Sequence, residues 1–91
     1  MTRYRILYTA RADRDLAKLA PDTAKKVVQT IHEIGDEPHR FIKKLKASSP
    51  EHPIYSLRVG REIRVLLSLH DDVLIIHVLE IEHRKHSYRD F

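Results

Sequence analysis

The chain has 91 residues and a mass of 10.7 kDa, enough for one domain with one modest core. Its 42% apolar content excludes a disordered chain, and the lack of cysteine excludes disulfide staples and thiolate chemistry, in keeping with a reducing cytosol. The net charge of +4 is uneven: Arg40, Lys43, Lys44, Lys46, Arg58, Arg61 and Arg64 stand between Pro38 and Arg64 against only Glu51 and Glu62, which points to nucleic acid or an acidic protein partner.

Arg3, Tyr4 and Arg5 interrupt any apolar run at the start of the chain, so no secretion signal is expected there. Tyr4 to Tyr8 reads as a short strand, with Tyr4, Ile6 and Tyr8 alternating against Arg5 and Leu7. Thr9 is the expected N-cap of a helix from Ala10 to Leu19. Ala12, Leu16, Leu19 and Ala20 make its apolar side, and Arg11, Arg14, Asp15 and Lys18 are expected to face out. Pro21 ends this helix and opens the next, since its missing N–H would have no partner at a first turn. The second helix is predicted over Asp22 to Ile34, with Ala24, Val27, Val28, Ile31 and Ile34 as its stripe. Gly35 is expected to stop it in a left-handed conformation. A turn this short implies a roughly antiparallel pair that covers a sheet.

Prolines 38, 50 and 53 break up the stretch from Asp36 to Pro53. Within it, Phe41 to Lys46 reads as a short strand or edge segment, with Phe41 and Leu45 tucked under the helices and Lys43, Lys44 and Lys46 in water. A hairpin follows. Tyr55, Leu57 and Val59 alternate with Ser56 and Arg58 before Gly60; Ile63, Val65, Leu67 and Leu69 alternate with polar or mixed positions after it. A two-residue loop would set Leu57 against Arg64 on one face. A loop of Gly60, Arg61 and Glu62 instead pairs Val59 with Ile63, Leu57 with Val65 and Arg58 with Arg64, and only this register keeps one face apolar. Asp71 and Asp72 make the next turn. Val73 to Leu79 reads as a central strand covered on both faces or nearly so. It contains His77, ends in the acidic Glu80 and Glu82, and passes into the tail His83, Arg84, Lys85, His86, Tyr88, Arg89 and Phe91. The order strand, helix, helix, then three antiparallel strands gives an α+β domain of two layers over residues 1–91.

Arg58 facing Arg64, with Ser56 and Arg61 near, is an arrangement that stability alone would not favour. A bound phosphate would relieve it; so would two solvated side chains splayed apart. With only Gly35 and Gly60 as glycines, no glycine-rich phosphate loop is present. His83 and His86 stand three apart, but no second pair has matching spacing, so neither metal nor cofactor is expected. No apolar stretch is long enough to span a bilayer, so no membrane role is expected. The remaining constellation is Arg58, Arg61, Arg64, Arg84, Lys85, His86 and Tyr88. Folded back beside the hairpin, the tail would gather guanidinium, imidazole and phenol groups around one anion. RNA cleavage needs such a set: a group to activate the 2′-OH, cations for the phosphorane, and an acid for the leaving 5′ oxygen. His86 suits the first or third task and Tyr88 could stack a base; equally, His86 could be a solvated tail residue and Tyr88 an anchor for the C-terminus.

Four motifs in order carry a resemblance. Tyr55 to Leu66 resembles the Y-x-L-R-V-G-x-x-R-V hairpin of the RelE/ParE toxin superfamily, and His83-Arg84-Lys85 followed by Tyr88 resembles its C-terminal H-R-K-x-x-Y. Asp15 to Pro21 is similar to its D-L-x-K-L-P, and Lys43-Lys44-Leu45 to its K-K-L. The resemblance implies a RelE-like fold: β-α-α-β-β-β, a small, mostly antiparallel twisted sheet packed against a helical pair. It implies a cytoplasmic toxin held inactive by a cognate antitoxin in a hetero-oligomer. In the RelE-like branch the activity is cleavage of mRNA in the ribosomal A site, so ribosome and mRNA are the implied partners. On that branch Arg58 would be hairpin base or phosphate ligand, Arg64 would stabilise the transition state, Arg84 would be phosphate ligand or acid, and Tyr88 would stack. Lys43, Lys44, Lys46, Ser56, Arg61 and Lys85 would line the RNA path. Ser56 stands where some members have another basic residue, and the spacing from Arg84 to Tyr88 varies in the family. The alternatives are the ParE-like branch, which poisons DNA gyrase, and a degenerate toxin that acts with its antitoxin as co-repressor.

Overall fold

The apolar stripe of the hairpin selects the register that the whole sheet follows. In the computed structural model, which describes residues 3–45 and 53–83, Val59 pairs with Ile63, Leu57 with Val65 and Arg58 with Arg64. The three-residue loop is therefore the one that forms, and Gly60 takes the left-handed φ of 64° that it needs. The elements are β1 (Arg5–Tyr8), α1 (Ala10–Lys18), α2 (Pro21–Glu33), a turn of 3-10 helix (Pro38–Arg40), β2 (Lys43–Lys44), β3 (Tyr55–Val59), β4 (Ile63–His70) and β5 (Ile75–His83). The strands lie in the order β1-β5-β4-β3-β2. β1 runs parallel to β5, and the other pairs are antiparallel. Two helices on one mixed sheet make the expected α+β fold. The lysine segment forms the short edge strand expected within Phe41 to Lys46, which makes a fifth strand beyond the β-α-α-β-β-β order: Lys43 pairs with Ser56 and Lys44 with Tyr55.

The core lies between the helices and one face of the sheet. Val27, Ile31 and Ile34 from the α2 stripe meet Leu57, Val65, Leu67, Ile76 and Val78, all buried. Each buried methylene contributes about 0.8 kcal/mol, so this stripe supplies most of what fixes α2 to the sheet. On α1 only Ala12 is fully buried; Leu16 and Leu19 pack at its margin, and Ala20 is exposed.

Several contacts differ from the expectations. β5 begins at Ile75, not Val73, because residues 71–74 are taken up by the turn, where Leu74 has a φ of 56° and Val73 is exposed. It is central, but with both helices on one face its other side is only half-buried. Phe41 is exposed instead of tucked under the helices; Ile42, one residue on, packs against the core in its place. Gly35 is not left-handed, since among the described glycines only Gly60 has positive φ. Glycine is favoured there by close approach instead: a Cβ would lie a tight 3.1 Å from the His32 carbonyl oxygen.

Arg11 and Asp15 do not simply face water. β1 ends at Tyr8, so β5 loses its strand neighbour beyond Val78. α1 takes over that edge. The Asp15 carboxylate accepts from the Ile81 N–H at 3.0 Å, and Arg11 pairs with Glu80 at 2.9 Å. Thr9 joins the two regimes. Its hydroxyl oxygen accepts from the Ala12 N–H at 3.0 Å as the N-cap and donates to the Leu79 carbonyl at 2.7 Å. Leu79 is the extra residue of a β-bulge: Leu66 pairs with Glu80, while Leu67 pairs with Val78.

Candidate anion-binding face

The face of the sheet turned away from the helices carries the polar residues. Directly opposed residues in antiparallel strands point the same way, so the register places Arg58, Arg64 and Glu82 in one row across β3, β4 and β5. The next row is Lys43, Ser56, Leu66 and Glu80. Lys44 pairs with Tyr55 and so points to the other side, which separates it from Lys43. Ser56 donates to the Lys43 carbonyl at a long 3.5 Å. Arg61 is exposed in the hairpin loop.

The two arginines of the first row differ. Arg58 is exposed and makes no ion pair or hydrogen bond among the described residues. Arg64 is held by Glu82, with Nε donating to Oε1 at 2.9 Å and Nη2 lying 2.7 Å from the same oxygen. The like-charge contact is thus partly compensated from within the protein, by a carboxylate that the sequence reading placed on β5 without a partner. The bulge explains why: it shifts β5 by one residue, bringing Glu82 opposite Arg64. Beside this row His83 Nε2 lies 3.6 Å from Glu62 Oε2, closing the hairpin loop against the end of β5. Lys26 of α2 also reaches the hairpin, since a Cβ on Gly60 would lie 3.8 Å from its Nζ. Lys26 is not among the apolar stripe residues of this helix, and helical periodicity alone does not bring it to the hairpin.

The face is polarised. Its β2–β3 side offers Lys43 and Arg58 to an anion. On β5 each carboxylate already holds an arginine, Glu80 with Arg11 and Glu82 with Arg64. Of the remaining expected site residues, Lys46, Arg84, Lys85, His86 and Tyr88 lie outside the described residues.

A second polar cluster sits at the far end of β4, about 24 Å along the strand from the hairpin loop. Tyr4 donates to Asp71 Oδ1 at 2.6 Å, and His39 Nε2 lies 3.1 and 3.2 Å from the two carboxylate oxygens. The Tyr4 bond, then His39, holds the Asp71 carboxyl below its usual range. The same bond raises the Tyr4 phenol to about 12. Tyr8 is pushed up mainly by burial and then by the nearby Asp13 charge. Its hydroxyl is buried without a partner among the described residues.

Comparison with known proteins adds to this geometry. Residues 6–88 match the family described as ParE toxin of type II toxin–antitoxin system. Among solved structures, a chain of the RelBE2 toxin–antitoxin complex from Mycobacterium tuberculosis is 30% identical, with a TM-score of 0.80, over 92% of this chain and 94% of that one. The archaeal RelE–RelB complex from Pyrococcus horikoshii aligns with 23% identity and a TM-score of 0.73, over 92% of this chain and 97% of its counterpart. A double mutant of the E. coli toxin RelE in the free state, at 19% identity and a TM-score of 0.68 over 97% and 90% of the two chains, shares the fold. No curated protein sequence is significantly similar to the chain.

Proposed function

The chain belongs to the RelE/ParE superfamily as a toxin of a type II toxin–antitoxin system, and on that premise we propose that it is a ribosome-dependent endoribonuclease that cuts mRNA in the ribosomal A site. The observation that carries this reading is the row of Arg58 and Arg64 on the open face, with Arg58 free of protein partners among the described residues. A strand pair gains nothing from opposed guanidinium groups, whereas a phosphodiester between them gains two charge-assisted donors.

The chemistry is a transesterification. A base takes the proton of the ribose 2′-OH, and that oxygen attacks the adjacent phosphorus. The bond from phosphorus to the 5′ oxygen breaks, and the 5′ oxygen leaves with a proton from an acid. The products are a 2′,3′-cyclic phosphate and a 5′-hydroxyl. Arg58 and Arg64 stabilise the charge that builds on the phosphorane oxygens. Neither serves as base, because a guanidinium keeps its proton at any ordinary pH. His86 or a water takes that role, Arg84 binds phosphate or acts as acid, and Tyr88 stacks on a base. Lys43, Lys46, Ser56, Arg61 and Lys85 lie along the RNA, whereas Lys44, which shares the face of Tyr55, is left off that path. The cytoplasm is where this substrate is met. The silencing partner is a cognate antitoxin whose acidic, amphipathic segment fits the basic middle of the chain.

The test is a cell-free translation reaction in which mRNA 5′ ends are mapped with and without ribosomes. New ends at codon-spaced positions, present only with translating ribosomes, are expected. The Arg64→Ala protein should lose cleavage and growth arrest by a hundredfold or more in rate, about the size of losing one preorganised transition-state donor, while keeping its fold. Full toxicity of that variant would put the site elsewhere. Because the matching family model is described by ParE, inhibition of DNA gyrase is the second reading, and a supercoiling assay on the same preparation reads it. Inactivity in both assays would leave a binding-only toxin that acts with its antitoxin as co-repressor.

A further inference from the structure

Arg64 presents five N–H donors in two usable edges. Glu82 occupies one of them: Nε and Nη2 both converge on its Oε1, at 2.9 and 2.7 Å. Among the described residues nothing engages Nη1, so the Nη1/Nη2 edge stays open on the sheet face that Arg58 shares. Arg64 is about half exposed, with a side-chain exposure of 54%, and a long side chain so placed would otherwise sample many rotamers. Glu82 is itself fixed at its root by the β4–β5 ladder, directly opposite Arg64. The neighbouring carboxylate, Glu80, is taken by Arg11 and does not compete for Arg64.

We propose that Glu82 is a positioning residue: it clamps the Nε edge of Arg64 so that the opposite edge is aimed, before any ligand arrives, at an RNA phosphate held between Arg64 and Arg58. This rests on reading the Arg58–Arg64 row as the phosphate site. The clamp uses hydrogen-bond acceptance by Oε1, so an amide in its place still orients the guanidinium. Shortening the side chain to a methyl releases it. The opposite arrangement, in which Glu82 merely fills the phosphate's place and is expelled on binding, would require the Nε–Oε1 bond to break when an anion binds.

The two are separated on the purified protein by following arginine Nε–Hε signals by NMR while inorganic phosphate is titrated in. The clamp predicts that the Arg64 Nε–Hε signal is present and slow to exchange in the free protein, and stays so as phosphate saturates. It should be lost in Glu82→Ala and kept in Glu82→Gln. Loss of the wild-type signal on phosphate binding, or its survival unchanged in Glu82→Ala, overturns the proposal. In the ribosomal cleavage assay at saturating mRNA, Glu82→Ala should lower the cleavage rate about tenfold, in the range typical of lost supporting contacts, with Glu82→Gln within about threefold of the parent. Equal rates for Glu82→Ala and the parent overturn it as well. If the parent does not cleave mRNA at all, the proposed function fails, yet the NMR result still decides whether Glu82 clamps Arg64.

Discussion

Arg58 and Arg64 stand side by side on one face of the hairpin, yet their surroundings make them respond differently to mutation. Arg64 has Glu82 as a partner, whereas Arg58 has solvent and a like charge opposite. Removing Arg58 deletes a repulsion and no protein contact among the described residues. Arg58→Ala should therefore leave stability unchanged or raise it by up to about 0.5 kcal/mol, readable by urea denaturation. If Arg58 binds a phosphate, the same variant loses affinity for single-stranded RNA, and the slope of log affinity against log salt becomes shallower by about 0.7. Arg58→Lys restores the charge and the slope, but not the two-pronged contact. A variant that is markedly destabilised, with unaltered RNA affinity and salt slope, would mark Arg58 as structural.

At the scale of elements, the junction of β1, α1 and β5 turns on Thr9. Its hydroxyl caps α1 through Ala12 and holds the Leu79 carbonyl of the bulge, while its own N–H donates to Val78 at 3.0 Å. The bulge in turn sets which β5 residue faces Arg64. Thr9→Ala should cost about 2 kcal/mol, one part from the cap and one from the bulge carbonyl, and Thr9→Ser should stay within about 0.5 kcal/mol of the parent by thermal or urea unfolding. The cap was legible from a hydroxyl residue before an apolar-periodic run, and the hairpin register from period-two alternation, because both are local rules. The bulge was not, since β5 reads as an almost continuous apolar run in which one extra residue leaves no local mark. For that reason the sequence placed Arg58 opposite Arg64 correctly but did not bring Glu82 to Arg64. Asp15 was misread for a related reason. Helical periodicity gives the side of α1 on which it lies, but not that β1 stops short and leaves the Ile81 N–H for it to accept from.

Across the whole molecule, Tyr4 and Arg5 are tied down by contacts that no local pattern announces. Tyr4 and Asp71 are 67 residues apart, and their bond joins the N-terminal segment to the β4–β5 turn, with His39 bringing in the loop after α2. The Tyr4 N–H to Gly35 and the Arg5 N–H to Leu74, at 2.9 and 2.8 Å, fasten the same corner through the backbone. The corner titrates at both ends of the pH scale. Asp71 has its pKa lowered from 3.8, so its stabilising contribution is present above that value and fades as pH falls through the folded-state value. Tyr4 has its pKa raised from 10.0 to about 12, so the folded state holds this proton more tightly than the unfolded chain does. Its contribution is complete below pH 10 and is lost as pH rises from there towards 12. The bond lies near the surface, which limits its worth to about 1 kcal/mol. Asp71→Asn keeps an acceptor for the phenol but removes the charge that holds the Tyr4 proton. Unfolding free energies by urea at pH 9 and pH 11 should therefore fall further for the parent than for Asp71→Asn, while Tyr4→Phe removes the difference between the two carboxyl-site forms. Equal falls in parent and Asp71→Asn would show that the phenol and carboxylate are not coupled in solution, and that the backbone bonds to Gly35 and Leu74 alone hold this corner.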